Sequence, residues 1–537
     1  MNEYGIWIII LAVGYTLALI IAGQLAKRKL TKGNSYFVGN RHFNKWIVAF
    51  CITGLFSGST YISILEMSYL KGISAFWYGI AEMVQIFIIA FLIIRSFRKK
   101  MLVTVSGLIG DTYGRAAKGI AGAITAFAFP MWSVATAIAF ASAIHVFTGI
   151  SLTFSVAFTA ILLFVYLQAG GMWSIAFTQT INIILFSVMF VIGVVAFFIN
   201  PGLEGLKTFA AASPDMFEIT NAGLQVIIVW FGTFLVNVIL AQAAFQMALS
   251  SRTPEEGQKG LIIAGVLAIP FIIGGVLFGV SAAVVIPDAQ TGLTAIPQYL
   301  MEVLPAPLVG LFFLGVWACA LGWGGPCQFS GSTSLGKDTG SAIHPEASES
   351  QLIVYTKISL LLLTVLMVVF GFLRTEQSAW WNVLAWTIRN SATFAPVIAA
   401  LFWPVVKKQA VLASLSTGFI SGLGWYYLGG WDPELFYLNI HPVWIGSSVN
   451  VLTIILVTLF DKQPNWQVEK ADGFTYLSAA AALLITSINV LNFNTFYENG
   501  LFGLFLFVAI LCLFVVSIRV LRSKKQVVHH FSKVSNI

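Results

Sequence analysis

Charge is what this 537-residue sequence has least of: 9% of its residues are Asp, Glu, Lys or Arg, against 58% hydrophobic residues and a mean hydropathy of +0.89. That mixture excludes a water-soluble domain, which needs a far larger polar surface. Cysteine is scarce too. Cys51, Cys319, Cys327 and Cys512 all fall in apolar stretches, so no disulfide is expected, and their spacing fits no zinc or redox motif. Cys319 and Cys327, eight apart, read as small packing residues on one helix face. Long polar stretches are missing as well, and the tail "RSKKQVVHHFSKVSNI" is too short to fold alone, so no appended soluble domain is expected. Paired carboxylates at catalytic spacing, a His–Glu metal cluster and a Ser/His/Asp arrangement are all lacking, which argues against an enzyme and leaves no cofactor implied.

What is abundant is apolar runs of about 18 to 25 residues, the length that spans a hydrocarbon core. Fifteen are expected, near 5–25, 46–70, 74–97, 118–148, 151–169, 175–198, 223–248, 260–286, 306–330, 351–374, 380–405, 408–428, 442–460, 474–493 and 500–521. The fold class expected is therefore an all-α integral membrane protein. "MNEYG" carries no basic region and no small-residue cleavage site follows it, so the first run reads as a retained span. With the N-terminus outside and the C-terminus inside a cytoplasmic membrane, 24 of the 29 basic residues fall in inward segments. The outer loops at 199–222, 287–305 and 429–441 then hold one, Lys207. The net charge of +8 is thus a topology signal, dispersed among spans, and not a nucleic-acid surface.

Two features stand out against hydrocarbon. The acids well inside the spans are Glu66 and Glu82, and Arg389 is the comparable base; such groups usually mark a pathway, a pair or a binding site. Two stretches, "GLFSGSTYIS" (54–63) and "CALGWGGPCQFSGSTS" (319–334), carry the glycine and hydroxyl residues of an interrupted helix. Close helix packing through glycine is the plainer explanation.

Four motifs in order then bring a resemblance. "YLQAGGMWSIAFTQTIN" (166–182) is similar to the sodium:solute symporter signature Y-x-x-x-G-G-x-x-A-V-x-W-T-D-x-x-Q through Tyr166, Gly170, Gly171 and Thr178. "MALSSRTPEEGQKGLI" resembles that family's L-A-A-K-S-x-x-E-A-x-K-G loop, "GLFSGSTYIS" its first broken helix, and "SATFAPVIAALFWPVVKKQAVLASLSTGFISG" a later proline–tryptophan pattern. The resemblance, which runs from about residue 5 to 428, implies a LeuT-like 5+5 inverted repeat. The repeats would cover 46–198 and 223–428, flanked by a first helix and cytoplasmic loop (1–45), an outer loop (199–222), additional helices (429–521) and a cytoplasmic tail (522–537). The helix opening the second repeat shows Gly232 but no obvious break.

The family holds one sodium ion with two carbonyls of the first broken helix, here Ser59 and Ile62, and with a carbonyl and two hydroxyls of an A-A-x-x-S-T motif. Aligned on Asp338, that motif offers Cys319 for the carbonyl, with Gly322 and Trp323 where the hydroxyls belong. The signature's acid is Gln179 and its final Gln is Asn182. Both departures imply a vestigial sodium site, since a hard cation needs several oxygen ligands. The substrate side falls to Glu66, Tyr61, Ser63, Glu82, Gln85, Gln242 and Gln246. Glu66 could take up a coupling proton or pair with an amine, Trp77 and Tyr78 joining Tyr61 for a cation. Ala243 stands where sugar carriers place a gating tyrosine. The expected function is a symporter-like secondary transporter for a small polar organic solute, amine-bearing or cationic solutes among the candidates, coupled to H+ or in an atypical way. A sodium-coupled symporter and a carrier-like membrane sensor are the alternatives.

Overall fold

A computed structural model describes residues 2–27, 36–37, 41–99, 104–168 and 171–524. Gly170 of the signature, most of the basic 28–40 loop and the tail beyond 524 lie outside the described residues. The chain is mostly helical and divides into two compact units, Met1–Gly107 with Gly122–Arg389, and Leu108–Ala121 with Asn390–Ile537.

The first unit begins with α1 (Glu3–Lys27), α2 (Lys45–Lys71) and α3 (Phe76–Ile88). Asn44 starts α2 by accepting the Trp46 and Ile47 amides at 3.0 and 2.9 Å, satisfying donors that the helix cannot satisfy itself. Beyond α3 the chain passes through a π turn, Ile89–Ile93, into α4 (Ile94–Lys99). After α5 (Val105–Tyr113) come α6 (Arg115–Thr148), α7 (Leu152–Leu167), α8 (Gly171–Ile199) and α9 (Gly202–Ala212). The chain then enters α10 (Leu224–Asn237), α11 (Gln242–Ala248), α12 (Pro254–Val285), α13 (Gly292–Val303) and α14 (Ala306–Ser332). Capping side chains set two of these starts: Thr253 with Pro254 at the first position for α12, and a Thr291–Thr294 capping box for α13. A second capping box, Ser348–Gln351, opens α15 (Glu349–Leu373), and α16 (Ser378–Phe402) runs out of this unit at Arg389.

The second unit continues with α17 (Lys408–Leu428), α18 (Pro442–Leu459), α19 (Gly473–Leu491) and α20 (Phe502–Val520). Asn450 of α18 ties it together: its amide donates to Ala392 O at 2.8 Å and Ser414 O at 2.9 Å and accepts from the Ala395 N–H. A short antiparallel ribbon, Trp466–Val468 on Leu521–Ser523, closes its end.

Among the described residues, ten helices are long and apolar enough to cross a membrane, eleven if one bent pair counts as a span. The fifteen expected from the sequence are not reached by that measure, for three physical reasons. Lys45–Arg98 forms one continuous 54-residue run. Leu152–Leu167 has 16 residues, short of a full span. Ser378–Phe402 and Lys408–Leu428 are long enough but thinned in hydropathy by Ser, Thr, Asn and Gly.

The expected helix breaks are corrected. Both glycine-rich stretches stay helical: α2 runs unbroken through 54–63 and α14 through Gly322, Gly324, Gly325 and Pro326. The break falls between α10 and α11, where the axis bends by 49°. Glycine serves packing in the first case. Every residue of α14 from Phe312 to Ser332 is buried, so neighbours press on it from all sides. A methyl on Gly322 would lie 2.6 Å from Gly54 O, and one on Gly58 would lie 3.3 Å from Cys319 Cα. Only side-chain-free positions permit that approach. At the bend, β-branched Val238 and Ile239 weaken the helix locally. Leu240 and Gln242 then close tight turns onto Asn237 O and Leu240 O at 2.9 and 2.7 Å.

Candidate functional site

The break is held open by side chains on both its flanks. Asn237, the last residue of α10, accepts a hydrogen bond from the Arg389 guanidinium of α16. Gln242, the first residue of α11, accepts from the Val105 N–H at 3.0 Å and donates to Ser330 O at 3.2 Å and Ser334 Oγ at 2.8 Å. Gln246, one turn on, accepts from the Ser330 hydroxyl. Two glutamines therefore fix α11 against the end of α14, while Asn237 fixes α10 against α16.

A narrow cleft lies at this break. Phe56 of α2, Phe129 and Trp132 of α6, Trp323 of α14 and Trp386 of α16 supply aromatic walls, with Ala241, Ala243 and Ala244 on the broken helix. Asn237, Gln242 and Arg389 supply the polar atoms. Arg389 is 2% exposed, and its guanidinium sits 4.5 Å from the Trp132 ring centroid. Trp132 in turn meets Trp386 at 6.1 Å and Trp323 at 6.3 Å, and the Trp323 indole N–H donates to Trp132 O at 2.8 Å. Among the described residues lining the cleft, Arg389 is the one that carries charge.

The residues expected on the substrate side are thus split. Gln242 lines the cleft; Glu66, Tyr61, Ser63, Glu82, Gln85 and Gln246 do not. Glu66 is buried and serves the start of α16, its Oε2 accepting from both the N–H and the hydroxyl of Ser378 at 2.6 Å. A carboxylate on the free amides of a helix start is favourable both as a cap and against the helix dipole. Its Oε1 has no hydrogen-bonding partner among the described residues. Glu82, also buried, accepts from the Thr60 hydroxyl of α2. Each acid thus has its own hydroxyl partner. Among the described residues, Gln85, buried one turn from Glu82, has no hydrogen-bond partner for either amide atom, and the Tyr61 hydroxyl has none. Trp77 donates to Ile219 O at 2.8 Å.

Asn382 is a residue the sequence reading missed. Its amide lies 3.4 Å from Ser59 Oγ, 3.2 Å from Ser63 Oγ and 3.3 Å from Tyr78 OH, linking α16 to α2 and α3. The signal was present: Ser378, Asn382 and Arg389 are spaced by four and seven residues, which puts all three on one face of α16.

Near Gly322 and Cys319, side-chain amides of α8 bond to carbonyls of α14. Gln179 donates from Nε2 to Gly322 O at 2.6 Å, and Asn182 donates to Ala318 O at 3.1 Å and to Gln179 Oε1 at 3.2 Å. Cys319 packs on Gly58. The hydroxyls further along α14 are engaged as well, Ser332 and Thr333 back-bonding to Phe329 O at 2.9 and 2.8 Å. The rest of the signature closes on itself: Tyr166 OH donates to Thr178 Oγ1 at 2.9 Å, and Tyr15 OH to Asn182 Oδ1 at 2.7 Å. Gly171 has φ +60°, with Tyr36 O 2.7 Å from where a Cβ would stand, so glycine is required there. No group of three or more His, Cys, Asp or Glu that could hold a metal occurs among the described residues.

These helices have the LeuT-like fold: a Na+-coupled sialic acid symporter, solved substrate-bound and outward-open, superposes with a TM-score of 0.69 over 86% of this chain and 99% of that one, at 17% identity. The sodium:solute symporter family model matches residues 36–418, and the chain belongs to that family. It is 22% identical to the uncharacterized symporter YidK of Escherichia coli over 79% of this chain and 80% of that protein. It is also 22% identical to the sodium/pantothenate symporter of Haemophilus influenzae, over 78% of this chain and 90% of that one. Membrane transport by symport is the activity this family membership supports.

Proposed function

We propose that the protein is a secondary active transporter that moves a small polar organic solute across the cytoplasmic membrane, driven by protons and not through the family's sodium site. The amide of Gln179 on Gly322 O carries this reading. An amide N–H presents the same positive end to a carbonyl that a bound cation would, so the oxygen is already satisfied. With Asn182 on Ala318 O, two carbonyls of α14 are engaged internally. Ser59, Ile62 and Cys319 could then offer a sodium ion three carbonyls and no hydroxyl, too few oxygens to replace its hydration shell.

Glu82 is the group best suited to carry the proton, with Glu66 second. Glu66 is committed to two donors at the start of α16, whereas Glu82 has the Thr60 hydroxyl and a neighbouring Gln85 whose amide atoms find no partner among the described residues. The remaining assignments follow the family: repeats at 46–198 and 223–428, fifteen spans, N-terminus outside and C-terminus inside. The meeting of Arg41, Arg98 and Arg252 around 42–45 and 249–252 supports one basic, cytoplasmic end. Arg41 reaches Leu249 O, Arg98 reaches Ser251 O, and Arg252 reaches His42 O.

Uptake into proteoliposomes tests the reading. Accumulation should follow an imposed pH gradient, stay nearly constant when sodium is exchanged for potassium, and collapse in Glu82→Gln. A strict sodium requirement would refute proton coupling, and no accumulation of any solute would favour a sensor.

A further inference from the structure

We propose that the protein holds one acyl chain of a membrane phospholipid in a cavity between α3 and α12, under the loop helix α9. The site is separate from the α10–α11 cleft, and the inference holds whichever solute and ion are carried.

This cavity has a volume of about 600 Å³ and two helical walls. Phe76, Ile80 and Met83 stand at helical spacing on α3. Ile269, Ile272, Ile273, Val276, Leu277 and Val280 form the facing stripe on α12. Leu206 of α9 and Phe217, which ends the turn Pro214–Phe217, complete the cover.

That cover is pinned from outside the cavity. The Trp77 indole donates to Ile219 O at 2.8 Å, and the Asn221 amide donates to Lys71 O at 3.2 Å. Gly72 has φ +63°, and a Cβ there would stand 1.8 Å from Met216 O, so glycine alone lets these two turns meet. Phe209 of α9 meets Phe217 with ring centroids 6.3 Å apart. Together these contacts hold a loop over a space that none of them fills.

The chemistry of the walls selects the occupant. Among the described residues lining the cavity, none carries a polar side chain. A water molecule needs several polar partners, so such a cavity excludes it. An ion or polar solute would give up its hydration for nothing in return. Left empty, the walls forfeit dispersion contacts along their whole length. An aliphatic chain restores them, and at about 30 Å³ for a group the size of water the space takes roughly twenty methylene-sized groups, the scale of one acyl chain.

The bilayer is the source of that chain. α12 is among the helices long and apolar enough to cross a membrane. Ile269 and Ile273, at 43% and 59%, are the exposed members of the lining. They belong both to the cavity wall and to the apolar face that meets hydrocarbon, so a chain enters sideways without crossing water. Once inside, it backs the helix whose other face carries Tyr78, Glu82 and Gln85, all buried.

The test uses the full-length protein in phospholipid vesicles containing a small share of phosphatidylcholine with a diazirine midway along one acyl chain. Irradiation is followed by mapping of the labelled residues by mass spectrometry. Labels should concentrate on Ile80, Met83, Val276 and Leu277, several-fold above Leu361 and Val365 of α15, which are 51% and 52% exposed. Ile80→Trp and Val276→Trp fill the space from opposite walls. Each should lower cavity labelling about tenfold, the effect of roughly ten lost carbon–carbon contacts, and leave the α15 labels unchanged, with thermal midpoints recorded for both. Labels spread evenly over the cavity and α15 positions of the unsubstituted protein overturn the site, as does cavity labelling that persists in either folded variant. Labelling by a diazirine-bearing free fatty acid alone, or cross-links from the cavity to a second copy of the chain, overturns the phospholipid as its occupant.

Discussion

The seam between α2 and α14 and the break between α10 and α11 solve opposite problems with opposite residues. The seam is rich in glycine and remains two straight helices; the break lacks glycine and bends by 49°. Glycine inside a membrane helix is usually taken as loosening, yet Gly54, Gly58 and Gly322 bring two backbones into contact that holds them helical. The break owes its geometry to long polar side chains, Asn237, Gln242 and Gln246, each bonded to a distant element. Absence of side chains closes one interface, and presence of side chains opens the other.

The largest effect should come from forcing the seam apart. Gly322→Ser places a Cβ 2.6 Å from Gly54 O, a clash with backbone that cannot swing away. A loss of about 3 kcal/mol is expected, seen as a lower thermal midpoint and less monodisperse protein in detergent; an unchanged midpoint would show that the seam has slack. Next is the opposite experiment at the break. Gln242→Leu leaves the Val105 N–H and Ser334 hydroxyl without their partner, an expected cost of about 1 to 3 kcal/mol together with a large fall in transport. Full activity would mean that the bend does not need its brace. Third, Glu66→Gln keeps an acceptor for Ser378 but removes the charge facing the start of α16. A moderate loss, about 1 kcal/mol, is expected, with transport falling well below that of the surface substitution Glu349→Gln.

The smallest effect concerns the second unit, which contains neither feature. His441 caps α18 by accepting the Val443 N–H on Nδ1 at 3.2 Å, and burial pulls its pKa down from 6.5 to about 3. A His depressed on folding is neutral when folded, so its contribution is complete above its ordinary pKa. That contribution fades as pH falls from about 6.5 toward 3. Thermal midpoints over that range should drop less in His441→Asn, which keeps an acceptor but cannot titrate. Equal pH slopes would rule the histidine out.

Much of this was legible in the chain. The length of the apolar runs located the helices, and the signature located α8. The polar stripe Ser378, Asn382 and Arg389 was there to be read. Neither the break nor the duties of the acids could be. Val238 and Ile239 look like any membrane helix, and only contacts with Val105, Ser330, Ser334 and Arg389 make bending favourable there. Glu66 finds its partner 312 residues away, a distance at which spacing carries no information. Glycine was misread for a related reason: a sequence shows that a side chain is missing, not what fills the space.

The α2–α14 seam also sets the order in which substitutions could accumulate. Restoring a hydroxyl at position 322 is blocked while Gly54 O stands against it, and restoring an acid at 179 first would aim a carboxylate at the Gly322 carbonyl. Each single step toward a hydroxyl at 322 or an acid at 179 therefore carries a cost at this seam. Lineages carrying this seam should behave as if passed through a ratchet, diversifying at the cleft walls while residues 54, 179 and 322 change together or not at all.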